Sequence, residues 1–235
     1  MSVKAPLQIL SRLIEGLPSK QRKHLLKSCE PVDLVFGSIL CEADQVISHV
    51  YFPLSGFISL VTTLDGHQPL EMGLIGNEGM LGATLALDIN QAPMRAVVQG
   101  SGTALRISSA LFKQQMRDSP ALLRVLKRYL YVLMAQLSQS AACTHFHEIE
   151  PRLARWLLMT HDRAHADHFY LTHEYLADML GVRRSGVSIA AGAMQQRKLI
   201  SYSRGEIKIL DRAGLEGAAC GCYTAGQDDY AALFA

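Results

Sequence analysis

The chain has 235 residues, 49% apolar and 19% charged, with a net charge of +2. That length favours two globular units with a real core, and a charge this small says nothing of partners until it is localised. The opening MSVKAPLQIL lacks the layout of a signal peptide, no apolar run reaches the roughly 20 residues of a membrane span, and the five cysteines are odd in number and scattered. The expectation is a cytoplasmic protein with neither a membrane anchor nor a disulfide framework.

Residues 4–30 carry two short helical patterns. The first holds Leu7, Ile9, Leu10, Leu13, Ile14 and Leu17, and the second opens at Pro18-Ser19. From Pro31 to Ser108 the texture changes to short alternating runs between glycines: VDLVF, SILCE, SHVYF, GFISLVTTLDGH, LEMGLIG, RAVVQG and GTALRIS. Asp65-Gly66 is a hairpin signal. Many short strands at close spacing predict an antiparallel barrel or jelly roll, a fold that commonly encloses a ligand.

Helical periodicity returns at Ser109. Ser119-Pro120 opens a long helix in which Leu123, Leu126, Leu130, Leu133 and Leu137 repeat at heptad spacing, with Ser140 and Thr144 continuing the row. Tyr129, Val132 and Met134 make its other faces apolar, which suits a helix that packs on its own barrel and on a second copy. A further helix, EIEPRLARWLLMTHDRA, and a polar loop, HADHF, follow.

The stretch from Leu171 to Asp211 carries the chemistry. Leu171, Tyr175, Leu176, Met179 and Leu180 form one helical stripe, with Thr172 as its N-cap. Gly181 supplies a tight turn. The stripe resumes at Val187, Ala190, Ala191 and Met194, while Arg184, Ser188 and Gln195 share the opposite face. Two short helices joined at a glycine describe a helix-turn-helix, with Val187 filling the space between them beside Ala177. ISYS and EIKIL, bent at Arg204-Gly205, add a β-wing. Between residues 183 and 212 stand Arg183, Arg184, Arg197, Lys198, Arg204, Lys208 and Arg212 against only Glu206 and Asp211. Positive charge concentrated in a nearly balanced chain is what phosphate binding requires. The segment RAGLEGAACGCY after Asp211 reads as a short helix, and the last dozen residues as weakly ordered.

A glycine-punctuated roll, a long helix and a winged helix-turn-helix, in that order, resemble the Crp/Fnr family of bacterial transcription regulators. The motifs that carry the resemblance are GSIL from Gly37, HVYFPLSGFISL from His49, IGNEGMLG from Ile75, LTHEYLADMLGV from Leu171 and GAMQQRKLI from Gly192. The resemblance implies an α+β fold divided into a β-roll sensor with helical lead-in (1–117), a dimerisation helix (118–147), a winged helix-turn-helix DNA-binding domain (148–215) and a tail (216–235). It also implies a homodimer on double-stranded DNA, a near-palindromic site and contact with RNA polymerase.

The expected reading helix starts near Arg183, so Arg183, Arg184, Ser185 and Ser188 are its candidate groove contacts, and Arg204 at the wing tip a phosphate contact. By the resemblance, Thr172 and His173 match positions that touch phosphate, and Arg184 matches the first reading arginine. Ser185 replaces the family's glutamate and Ile189 its second arginine, so the usual target sequence does not carry over. Gly186 is expected to let the backbone approach DNA.

Cyclic-nucleotide-binding members of the family hold the ribose with a Gly-Glu pair and the phosphate with Arg-Ser. Here Gly82 is followed by Ala83, and Arg95 lacks the serine, which argues against cyclic AMP. Glu78, Gly82 and Arg95 are the candidate effector-pocket residues, Glu78 as a turn residue. The effector is unknown. No N-terminal cysteine cluster marks an iron–sulfur centre. No metal site is expected: Cys220 and Cys222 alone are too few, Cys143 reads as a buried hydrophobe, and His145, His147, His161, His165 and His168 read as solvated or DNA-facing.

The competing functions are a cyclic-nucleotide-binding module without DNA binding and a cupin-like metal module or enzyme on the roll. His49 and His67 fall short of a cupin's ligand set, and GxSxG, Walker and HExxH motifs are absent, so no catalytic residue is expected.

Overall fold

The structure is a computed structural model that describes residues 11–164 and 166–234. The expected helical residues before Ser11, and His165, lie outside that range. Two short helices, α1 (Arg12–Glu15) and α2 (Ser19–Lys27), lead into seven strands: β1 (Glu30–Leu34), β2 (Ile39–Cys41), β3 (His49–Pro53), β4 (Phe57–Thr62), β5 (Leu70–Ile75), β6 (Arg95–Gly100) and β7 (Gly102–Ser108). They form two antiparallel sheets, ordered β1-β7-β3 and β2-β6-β4-β5. The Asp65-Gly66 signal is realised in the β4–β5 hairpin, where Gly66 takes φ 75°.

Alternation along the strands gives each sheet two buried faces. Leu34, Ile58, Leu60, Ile75, Ala96 and Val98 meet in the core between the sheets. On the far side of the three-stranded sheet, Val50, Phe52, Leu105 and Ile107 pack with α1, α2, α3 (Ser109–Asp118) and the first half of α4 (Pro120–Phe146). On the far side of the four-stranded sheet, Val61 joins the core of the C-terminal domain.

Helix α4 starts as its sequence predicts. The Ser119 hydroxyl accepts from Leu122 N, and Pro120 occupies the first turn. Its 27 residues span about 40 Å. The stripe buried within the chain is Leu122, Leu126, Tyr129 and Val132. The heptad leucines 123, 130, 133 and 137 remain half-exposed, and Tyr131 and Met134 lie open to solvent. The long helix thus keeps an apolar face that its own chain does not cover.

Helix α5 (Ile149–Ala164) supports the C-terminal domain. The segment expected to be a polar loop contains a strand, β8 (His168–Tyr170), paired with the wing. After α6 (His173–Leu180), α7 (Arg184–Gln196), β9 (Ile200–Ser203) and β10 (Glu206–Ile209) come α8 (Arg212–Ala218) and α9 (Cys222–Phe234). The tail read as weakly ordered is therefore helical: α9 packs along α4, and Tyr223 is buried. Its sparse apolar pattern hid this, because the contacts that order it come from a helix far away in sequence.

Candidate nucleic-acid interface

The helix-turn-helix is built on small residues. The Thr172 hydroxyl accepts from Tyr175 N at 3.1 Å and caps α6. Gly181 ends α6 at φ 63°, and Val182 N donates to Ala177 O at 2.9 Å, closing the turn. Val187 is fully buried beside Ala177, as its spacing predicts. A buried guanidinium completes the corner: Arg152 of α5 donates from Nη2 to the carbonyl of Leu180 at 2.5 Å, at the C-terminal end of α6 where a cation is favoured.

Helix α7 presents its other face to solvent. Arg183, Arg184, Ser185 and Ser188 are exposed, as is Ile189. Arg183 precedes the first turn, and no side chain caps α7, so its leading amides are open to an anion. Arg184 lies 3.8 Å from Glu174, a loose pair between two exposed side chains that contributes little to stability.

His173 is less free than expected. Its ring stacks on Tyr202 of the wing at 4.2 Å, and its Nδ1 lies 2.9 Å from Ser188 Oγ. The Ser188 hydroxyl donates to Arg184 O, so Nδ1–H of His173 is the donor in their contact. Burial, and then the nearby Arg184, hold this imidazole below its ordinary value. His173 therefore ties together α6, α7 and the wing as a neutral ring, and Ser188 is partly engaged by it.

At the wing tip Arg204 is exposed at φ 49° and Gly205 follows at φ 88°, the paired left-handed conformations of a tight hairpin turn. Gly186 has a packing reason rather than a DNA-facing one: a Cβ there would press on Ile149 of α5. Gly192 has open space around it. Gly192→Ala is expected to raise stability by about 0.5–1 kcal/mol, read as a higher urea midpoint at unchanged slope.

The three candidate effector residues are not gathered. Gly82 takes φ 96° against Val50 in the interior of the roll. Arg95 is exposed and pairs with Glu42 at 2.6 Å. Glu78 accepts from Gly76 N and pairs at 2.6 Å with Arg163 of α5, both side chains being largely buried. Glu78 borders a cavity of about 1140 Å³ between the roll, α4, α5 and α9, whose lining includes neither Gly82 nor Arg95. Sequence reasoning had no partner for Glu78, since Arg163 comes from the other domain.

What the sequence concealed is how the two domains join. Glu71 of β5 accepts from Trp156 Nε1 of α5 at 2.7 Å and contacts the Ser59 hydroxyl. Ser59 Oγ lies 2.6 Å from Gln99 Oε1, and Gln99 Nε2 donates to the sulfur of Met179 on α6. One hydroxyl carries one proton. Ser59 therefore donates to a charged Glu71 and leaves Gln99 Oε1 unserved; once Glu71 is protonated the carboxyl can donate instead and free the Ser59 proton for Gln99. Burial pushes Glu71 from near 4.5 up to about 7, against the lowering effect of Ser59, Trp156, Arg155 and Arg163. Leu70 leans on the helix-turn-helix itself: a Cβ at Gly181 would sit 2.8 Å from its Cδ1.

A two-sheet roll joined through a long helix to a winged helix-turn-helix with exposed cations defines a DNA-binding transcription regulator with a sensor domain. Two family models match this chain: "Cyclic nucleotide-binding domain" over residues 32–119 and "Crp-like helix-turn-helix domain" over residues 151–218. The chain belongs to the Crp/Fnr family of transcription regulators.

Among solved structures, it is similar to a crp/fnr-family transcriptional regulator from Eubacterium rectale, at 18% identity and TM-score 0.69, covering 88% of this chain and 96% of that one. It is similar to FixK2 from Bradyrhizobium japonicum, at 13% identity and TM-score 0.69 over 82% and 98%. It is also similar to CLP from Xanthomonas campestris, described as a c-di-GMP responsive global regulator, at 14% identity and TM-score 0.66 over 82% and 99%. No curated protein matches the sequence. A nucleotide-binding or cupin-like module lacking DNA binding is not favoured. Among the described residues no helix is long and apolar enough to cross a membrane.

Proposed function

We propose that this regulator acts as a cytoplasmic homodimer that presents two copies of α7 to successive major grooves of a near-palindromic site. The half-sites would lie about 10 base pairs apart. Arg184 and Arg183 read base edges from the start of α7, with Ser185 and Ser188 beside them. Arg204 on the wing and Thr172 and His173 at the start of α6 sit against phosphate, His173 through its backbone amide, since its one ring N–H is given to Ser188. The observation that carries this reading is the solvent-facing surface of α7, cationic at its N-terminal end and flanked by a wing arginine. Family resemblance supports a further contact with RNA polymerase.

The roll passes its unidentified signal to the DNA-binding domain through the contacts of Glu71, Glu78 and Leu70. Cyclic AMP and an iron–sulfur cluster are not the proposed effectors, since Ala83 replaces the ribose-binding acid and the N-terminal cysteine cluster is missing.

Dimerisation through α4 is supported by its half-exposed leucines. Leu137→Glu is expected to leave a folded monomer in light scattering and to remove high-affinity DNA binding; a stable dimer would place the interface elsewhere. A salt-dependent gel shift on genomic fragments tests DNA binding itself. Retardation should weaken with salt at a slope of about −0.9 per neutralised phosphate. A folded dimer that retards no fragment, with and without cell extract as a source of effector, overturns the proposal.

A further inference from the structure

Three of the five cysteines gather with a histidine at the joint between α4 and α5. Cys143 is in the last turn of α4 and His147 is its C-cap. Cys220 lies between α8 and α9, and Cys222 opens α9. The four ligand atoms all lie within 4.8 Å of one another. The sulfurs of Cys143 and Cys220 are 3.6 Å apart, and Cys222 Sγ is 3.5 Å from His147 Nδ1. The three cysteines are buried and form a cluster of their own, apart from the hydrophobic cores, while His147 is exposed.

We propose that Cys143, His147, Cys220 and Cys222 form a closed, structural Cys3His site for a thiophilic divalent cation, zinc by its geometry. A tetrahedral zinc with bonds of about 2.3 Å to sulfur and 2.0 Å to nitrogen separates its ligands by about 3.5–3.8 Å along each edge. The two close contacts already match, and the widest pair needs to contract by roughly 1 Å. Sequence spacing agrees with the geometry. Residues i and i+4 at a helix end put Cys143 and His147 on one side, and Cys-x-Cys supplies the other two ligands.

Polar groups also reach the sulfurs. Gln139 donates from Nε2 to Cys222 Sγ at 2.8 Å. Arg155 favours the ionised form of both Cys143 and Cys220, and its Nε is buried without a hydrogen-bond partner. Without a metal, the contact with Cys220 and then burial push the Cys143 thiol up to about 12, while the same contact holds Cys220 below its ordinary value. A dication among the sulfurs reverses that rise. A disulfide would employ only two of the four groups and leave Cys222 and His147 without a role.

Such an ion would fasten the start of α9 to the end of the long helix, at the hinge from which the DNA-binding domain hangs. Binding releases the thiol protons, so affinity rises with pH.

The test uses the full chain, tag removed, purified without oxygen and incubated with zinc or cobalt(II), then freed of unbound metal. Elemental analysis should find about one zinc per chain, and cobalt should give the thiolate charge-transfer and tetrahedral d–d bands. Cys143→Ser and Cys222→Ser should lose the bound metal. His147→Ala, at an exposed position that leaves folding intact, should weaken zinc binding by on the order of 100-fold. Cys29→Ser and Cys41→Ser should retain full metal content. The proposal is overturned if the folded wild type binds neither ion, if its anaerobic form holds a Cys143–Cys220 disulfide, or if His147→Ala keeps wild-type affinity and cobalt spectrum.

Discussion

Arg184→Ala is expected to abolish sequence preference while leaving a folded dimer. The side chain is 69% exposed and its one ion pair is long, so stability should hardly change. A guanidinium that grips guanine O6 and N7 contributes about 1–3 kcal/mol of discrimination. Two-fold symmetry applies the loss at both half-sites, so preference for the best site over random DNA should fall at least about 30-fold. Arg184→Lys should recover charge without recovering preference, because an ammonium lacks the planar fork. Competition binding against random duplex, with light scattering as the control, reads both effects. Unchanged preference would place sequence reading on another element.

The second large effect is expected at Glu71. Its carboxyl sits near 4.5 when solvated and about 7 when the domains are joined. The joined state therefore binds the extra proton, and its stability falls as pH rises from near 4.5 through 7, then levels off. The loss is on the order of 1–3 kcal/mol, discounted for the partial exposure of the residue. Trp156, the chain's one tryptophan, is buried and donates to this carboxyl, so its fluorescence reports the contact. Emission should shift to the red as pH rises through 7, and Glu71→Gln should remove that dependence. A pH-independent wild-type signal would mean that Glu71 does not change charge across this range.

The fold was largely legible because local signals agreed with one another. Asp65-Gly66 marks the β4–β5 hairpin, Ser119-Pro120 starts α4, and the Thr172–Gly181–Val187 spacing locates the helix-turn-helix. The exposed face of α7 could be read for the same reason, since helical period alone separates Arg184 and Ser188 from Val187 and Ala190.

What stayed hidden depends on residues distant in the chain. Glu78 looked like a turn residue until Arg163 came to meet it. Gly186 looked free for DNA until Ile149 filled its flank. The gathering of Cys220 and Cys222 with Cys143 and His147 was hidden for the same reason, since only the packing of α9 along α4 brings the two pairs near. The i, i+4 pairing of Cys143 with His147 and the Cys-x-Cys at Cys220 and Cys222 were the sequence signals that pointed towards it.

The most direct measurement is guanine methylation interference and hydroxyl-radical footprinting on the tightest-binding fragment selected from a random library. Two patches of major-groove interference are predicted, about 10 base pairs apart on one face of the duplex, each flanked by backbone protection from the wing. A single patch, or protection unchanged when Arg183, Arg184 and Arg204 are all replaced by alanine, would contradict the paired grip by α7.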